Sequence, residues 1–193
     1  MKTGIIILAA GESTRLGYPK QIAKYKEKTL LQLAIDAAND CKADKRVLVL
    51  GANRDEIKKT FSGASIPNIP NQHFEKGMSS SIKVGLEYML KFDKPDQVII
   101  MLCDQPFVDA KILNKMIATQ KKEGKGIVAC EYSKTFGVPI LFGSAYFNEL
   151  MALIGDEGAK NMVTTHKDDL ATVSFPKGKV DIDTEEDLRD LNL

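Results

Sequence analysis

Three short stretches of this 193-residue chain are almost wholly apolar, and they narrow what it can fold into. They are GIIILAA from Gly4 to Ala10, RVLVL from Arg46 to Leu50, and QVIIMLC from Gln97 to Cys103. A strand with one wet face alternates apolar and polar residues. These runs do not, so both of their faces meet protein, the habit of strands in parallel sheets. Helical spacing lies between and after them: Leu30, Leu31, Ala34, Ile35 and Ala38, then Ile82, Leu86, Met89 and Leu90, then Ile112, Leu113, Met116 and Ile117. Strand and helix in alternation predict an α/β sandwich.

The second half loosens the pattern. GIVAC (Gly126 to Cys130), GVPILF (Gly137 to Phe142) and LATVSF (Leu170 to Phe175) read as further strands. Pro139 has no amide donor and argues for an edge or interrupted strand, and one antiparallel member in an otherwise parallel sheet is expected. No linker or repeat divides the chain, so one domain over residues 1–193 is expected. The formal net charge of +1 excludes the whole-protein electrostatics of a nonspecific nucleic-acid binder. Apolar runs of about 8 residues fall far short of the roughly 20 that cross a bilayer, and a soluble, cytoplasmic protein is expected. Cys41, Cys103 and Cys130 are isolated, which supports neither a disulfide framework nor a zinc site.

After the first run comes LAAGESTRLGYPKQ, Leu8 to Gln21, and the next helical pattern starts only near Thr29. A connection of that length beyond a parallel strand lies where open α/β sheets bind ligands. Gly11 and Gly17 allow backbone amides to line a concavity, Arg15 offers a planar fork of donors, and Lys20 a compact charge. Tyr18 precedes Pro19 and is pushed toward extended conformations. The outline is a triphosphate cradle, although the spacing fits neither a P-loop nor the Rossmann glycine fingerprint.

Four further stretches fall where a nucleotide site needs them. Asp104, in CDQP at the end of the third run, is a hard carboxylate suited to Mg²⁺. In DID, Asp181 and Asp183 share one side by strand alternation; Asp183 is either a second metal carboxylate or simply precedes a helix whose Thr184 and Asp187 form a capping box. NQHFEKGMSSS, Asn71 to Ser81, leads serine hydroxyls into a helix start, where they can contact phosphate, ribose or base, or cap the helix. GDEGAKNM, Gly155 to Met162, shapes an acceptor pocket or is an ordinary loop. His73 and His166 accompany no nucleophile motif, and Lys121, Lys122 and Lys125 read as a solvated helix end.

These residues together resemble the MobA-like nucleotidyltransferases, whose loop runs approximately LAAG-x-S-x-R-(M/L)-G-x-P-K. GMSSSIKVGL, CDQP, GVPILF, GDEGAK and DIDTEEDL resemble, in order, the later blocks of the molybdenum cofactor cytidylyltransferase branch. The resemblance implies a three-layer α/β/α sandwich with a mixed, mainly parallel sheet, the Rossmann-like nucleotide-diphospho-sugar transferase fold. It implies transfer of CMP from CTP to the phosphate of molybdopterin cofactor, with Mg²⁺, and delivery to a molybdoenzyme recipient. By position, Leu8, Ala10 and Gly11 line the nucleotide, Arg15 and Lys20 hold the triphosphate, Asp104 binds Mg²⁺, and Asn71 with Ser80 or Ser81 lies near base and ribose. The GTP-using branch often has LAGG, so Ala10 favours CTP. Two other readings stay open: a sugar phosphate or methylerythritol phosphate as acceptor, and a non-catalytic chaperone for the cofactor.

Overall fold

Every residue of the first strand, β1 (Thr3–Ala9), is buried, and side-chain alternation explains how. Ile5 and Ile7 join one core cluster while Ile6 and Leu8 join another on the opposite face of the sheet. The computed structural model describes residues 1–60 and 66–192. After β1 come a small hairpin of β2 (Lys24–Tyr25) and β3 (Lys28–Thr29), then α1 (Leu30–Asp40), β4 (Lys45–Leu50), α2 (Arg54–Lys58) and β5 (Asn68–Pro70). Next follow α3 (Met78–Phe92), β6 (Gln97–Leu102), α4 (Ala110–Glu123), β7 (Ile127–Tyr132) and β8 (Thr135–Gly143). Last are α5 (Phe147–Ala152), α6 (Lys160–Thr165), β9 (Leu170–Ser174) and α7 (Glu185–Asn192).

Among the described residues, seven strands form one sheet in the order β5-β4-β1-β6-β8-β7-β9. All neighbours pair in parallel except β8, which runs antiparallel to both β6 and β7. Helices α1 and α4 cover one face through Leu31, Ile35, Leu113 and Met116. Helices α3, α5 and α6 cover the other through Ile82, Leu86, Leu150 and Val163. This is the mixed, mainly parallel sheet with helices on both faces that the resemblance implies. Each buried Ile or Leu contributes about 1.5 to 3 kcal/mol, so the two clusters dominate stability. A third, smaller cluster of Leu16, Ala23, Leu30 and Ile182 lies apart, with Tyr18, Leu188 and Leu191 packed on it. It joins the opening loop to α7.

Local chemistry fixes the helix ends. Thr29 caps α1, its hydroxyl accepting from the Gln32 amide at 3.1 Å, and Asp109 caps α4 by accepting from the Ile112 amide at 3.0 Å. Gly124 closes α4 in the left-handed region, at φ 68°. Pro139 lies in the interior strand β8, not at an edge, and the ladder to β7 shifts register beside it, between Ala129 and Cys130. The missing donor is absorbed by interrupting the ladder. The long first connection holds more order than its sequence suggests: a 3-10 turn at Lys20–Ile22 and the β2–β3 hairpin precede α1.

The chain runs from β1 outward to β4 and β5, then returns through α3 to β6 on the other side of β1. The strand order reverses at β1, and the C-terminal end of such a strand opens into a crevice. Gly85 in α3 permits close approach to that strand, because a Cβ there would collide with the Ile6 side chain.

Candidate functional site

The loop that leaves β1 is stitched back onto it. Gln21 is 1% exposed, and its side-chain amide donates to the carbonyl oxygens of Ala9 at 3.0 Å and Gly11 at 3.1 Å. The Ser13 hydroxyl accepts from the Lys20 amide at 2.9 Å. Pro19, at φ −59° and ψ 115°, keeps the chain extended until the turn that begins at Lys20. Lys20 is thereby aimed across the crevice toward Asp104 and Asp183.

Its ammonium lies 2.8 Å from Asp104 Oδ2 and 2.7 Å from Asp183 Oδ1. Asp104 follows β6, and Asp183 precedes α7, where Thr184 and Asp187 form the expected reciprocal capping box. The segment around Asp183 is not a strand, but its alternation persists: Ile182 is buried, Asp181 is exposed, and Asp183 is half-buried against Lys20. Arg15, well exposed, donates to Asp183 Oδ2 at 2.7 Å. The structure thus brings Arg15, Lys20, Asp104 and Asp183 into one charged cluster.

The electrostatics follow from that packing. Burial alone would lower the pKa of Lys20, but Asp104 and Asp183 overcome it and hold the ammonium well above the usual lysine range. Burial raises the Asp183 carboxyl, yet Lys20 and Arg15 outweigh it and the net shift is downward. Asp181 moves the other way, raised by burial and by the charges of Asp104 and Asp183. Burial and the Asp104 charge push the Cys103 thiol up to about 12, so it is neither a nucleophile nor a metal thiolate at neutral pH.

Beside the cluster is a cavity of about 440 Å³, a size for a nucleotide-scale ligand. Leu8, Ala10, Gly11, Lys20 and Asp104 line it, and so does Ser81. Asn71 and Ser80 are placed differently. Asn71 is buried, and its amide donates to Ser80 Oγ at 2.7 Å and Ser81 Oγ at 2.9 Å. Ser80 Oγ in turn donates to backbone carbonyls of His73 and Gly77. These two residues shape the wall behind Ser81. No serine caps α3, whose N-cap is Gly77.

The GDEGAKNM stretch reaches the same cavity. Asp156 lines it, and Gly155 accepts from the Ser79 amide at 3.1 Å. Gly77 admits this approach: at φ 85°, a Cβ there would sit 2.5 Å from Gly155 and Asp156. Sequence reasoning missed Gln21, Glu12, Phe74 and Glu75, which also line the cavity. Gln21 stood inside the quoted loop, and an uncharged residue directly after Lys20 was the available signal. His73 lies 3.6 Å from Glu75 of the cavity wall, and His166 lies 2.8 Å from Glu149.

The donor set fits a divalent cation bound together with a ligand. Asp104 Oδ1 is buried without a hydrogen-bond partner among the described residues, while Asp183 shares the same lysine. Two carboxylates suit Mg²⁺ held partly by phosphate oxygens. No group of three or more His, Cys, Asp and Glu gathers among the described residues, so a cage made by protein alone is not built. No helix among them is long and apolar enough to cross a membrane.

Comparison with known proteins bears on the family and the fold. The profile of the MobA-like NTP transferase domain matches residues 5–170. Rv0371c from Mycobacterium tuberculosis H37Rv is 28% identical, with a TM-score of 0.87 over 100% of this chain and 97% of that one. A structure of the same mycobacterial protein in complex with manganese aligns at 26% identity and a TM-score of 0.83, over 100% and 98% of the two chains. The bifunctional protein GlmU of Buchnera aphidicola is 31% identical over 120 residues, 61% of this chain and 25% of that protein. The chain spans about a quarter to a third of the length of the curated relatives it matches. CMP:2-keto-3-deoxy-manno-octonic acid synthetase complexed with CTP shares the fold, at 11% identity and a TM-score of 0.75 over 100% and 97% of the two chains.

Proposed function

The chain belongs to the MobA-like NTP transferase family, and on that premise we propose that residues 1–193 form one nucleotidyltransferase domain. The reaction we infer moves CMP from CTP to the terminal phosphate of a molybdopterin-type cofactor and releases pyrophosphate. The observation that carries the reaction type is Lys20 held between Asp104 and Asp183 at the edge of the cavity. The acceptor rests on the blocks GMSSSIKVGL, CDQP, GDEGAK and DIDTEEDL, and the choice of CTP on Ala10.

An oxygen of the acceptor phosphate attacks the α-phosphorus of CTP. One P–O bond forms as the bond to the bridging oxygen of pyrophosphate breaks, and that electron pair leaves with pyrophosphate. Positioning and charge stabilisation carry such a reaction, so no protein nucleophile is required. Lys20 exchanges part of its carboxylate contact for the triphosphate and faces the charge that builds there. Arg15, exposed and tethered to Asp183, turns onto the same phosphates. Asp104 through its unpartnered Oδ1, together with Asp183, would hold Mg²⁺. That ion supplies positive charge to the phosphate oxygens when bound. Ser81 and the backbone of Ala10 and Gly11 contact the nucleoside side of the cavity. A molybdoenzyme recipient for the product belongs to the same proposal.

The test is pyrophosphate release from purified protein with Mg²⁺ and CTP or GTP, with and without molybdopterin cofactor, a sugar phosphate or methylerythritol phosphate. Release with CTP and the pterin alone supports the proposal. Turnover with another phosphate moves the acceptor assignment, and tight binding of the pterin with no turnover identifies a carrier.

A further inference from the structure

We propose that Gln21 is the positioning residue of the polyphosphate cradle, an inference that rests on the nucleotidyltransferase reading above. Its side chain is 1% exposed, and both hydrogens of its amide are used, one on the Ala9 carbonyl and one on the Gly11 carbonyl. The two carbonyls flank Ala10 in the loop that leaves β1. Peptide planarity sets each C=O opposite the N–H of the same unit. Drawing these carbonyls inward to Gln21 therefore turns the amides of Ala10 and Glu12 the other way, as donors for an anion, and withdraws two acceptors that would repel it.

Gln21 also sets the far end of the loop. Its Oε1 lies 3.5 Å from Ser13 Oγ, the atom that accepts from the Lys20 amide. One buried side chain thus governs both the backbone on which phosphate would rest and the residue that delivers the ammonium. Ser13 sits at φ 58°, a conformation that L residues seldom adopt, and the Lys20 amide bond to its hydroxyl helps hold it there. Acidic or apolar side chains at position 21 cannot donate to two carbonyls in this way.

The experiment measures binding of inorganic tripolyphosphate with Mg²⁺ by titration calorimetry to wild type and to Gln21→Met, which keeps the length and removes both donors. Thermal unfolding without ligand is followed in parallel. The expected result is binding about tenfold weaker in Gln21→Met, at a temperature where both proteins are folded. A lower Tm with unchanged affinity assigns Gln21 a structural role and overturns the proposal. Wild type that fails to bind tripolyphosphate at all overturns both the proposal and the reading beneath it, so the two failures are distinct. Should Gln21→Met not fold, Gln21→Ala, which leaves room for water, is read by the same criterion.

Discussion

The peptide nitrogen of Ile182 donates to the carbonyl oxygen of Asp104 at 3.0 Å. This backbone bond joins the end of β6 to the segment before α7 and brings the Asp104 and Asp183 carboxylates to one ammonium. Neither acid is positioned by the cation alone. Mutations in the charged cluster should therefore disturb charge more than geometry.

Asp104→Asn keeps the size of the side chain and removes its charge. Turnover is expected to fall by at least about a hundredfold, the scale set by loss of one preorganised electrostatic group. Circular dichroism should stay close to wild type, because the Ile182 bond is made by the main chain, while the Tm should fall, because Lys20 loses one of its two carboxylate charges. Rates near wild type would remove Asp104 from the mechanism.

Lys20→Ala leaves the Asp104 and Asp183 carboxylates without their shared ammonium, with Arg15 still paired to Asp183. Removing one partner of a largely buried pair costs about 3 kcal/mol or more in stability, and turnover should fall at least about a hundredfold. Mg²⁺ or Mn²⁺ should raise the Tm of Lys20→Ala more than that of wild type, since the cation replaces the missing charge. An equal shift in both proteins would show that the two acids do not share a metal.

Asp183 is held below its ordinary pKa in the folded protein. A depressed carboxyl adds stability above its unfolded value, and that contribution drains as pH falls through the folded value. The stability advantage of wild type over Asp183→Asn should thus be full at pH 7 and shrink below about pH 4. Lys20 obeys the opposite sign: its contribution is complete below the unfolded value of 10.5 and fades only in stronger alkali. Denaturant midpoints measured from pH 2 to 7 test the acid limb.

Gly77→Ala adds a Cβ where Gly155 and Asp156 already sit, at a backbone φ of 85°. A loss of about 1 to 3 kcal/mol is expected. The more telling readout is ligand affinity, since relieving the clash displaces Asp156 from the cavity wall. Unchanged stability and affinity would mean that the GDEG turn does not pack as described.

Cys103→Ala should retain turnover within about threefold, and Cys103 should resist alkylation at pH 8, because the thiolate is the reactive form. Rapid modification by iodoacetamide, followed by mass spectrometry, would contradict the burial seen here.

The sheet was legible because its signal is local. Unbroken apolar runs announce burial on both faces, and β1, β4 and β6 lie within a residue or two of GIIILAA, RVLVL and QVIIMLC. Strand β5 was not legible: three residues, Asn68–Pro70, carry too little periodicity to show. Pro139 misled in part, since backbone chemistry alone cannot tell an edge from a register shift inside a sheet. In the site, charged residues near strand ends were readable from Lys20, Asp104 and Asp183. The division between Ser81, which faces the cavity, and Asn71, whose polar atoms are spent on neighbours, was not. Nor was the role of Gln21 in closing the loop. Both depend on which way a side chain turns after folding, information that composition and spacing do not contain.

The small cluster that joins Leu16, Ala23 and Leu30 to Ile182 has a consequence for synthesis. Residues 182–191 leave the ribosome long after the opening loop, while β1, β4 and β6 can already begin to assemble behind them. A nascent chain in that state owns a nearly complete sheet and no finished charge cluster. The charged cluster is therefore completed only when Ile182 seats and carries Asp183 to Lys20.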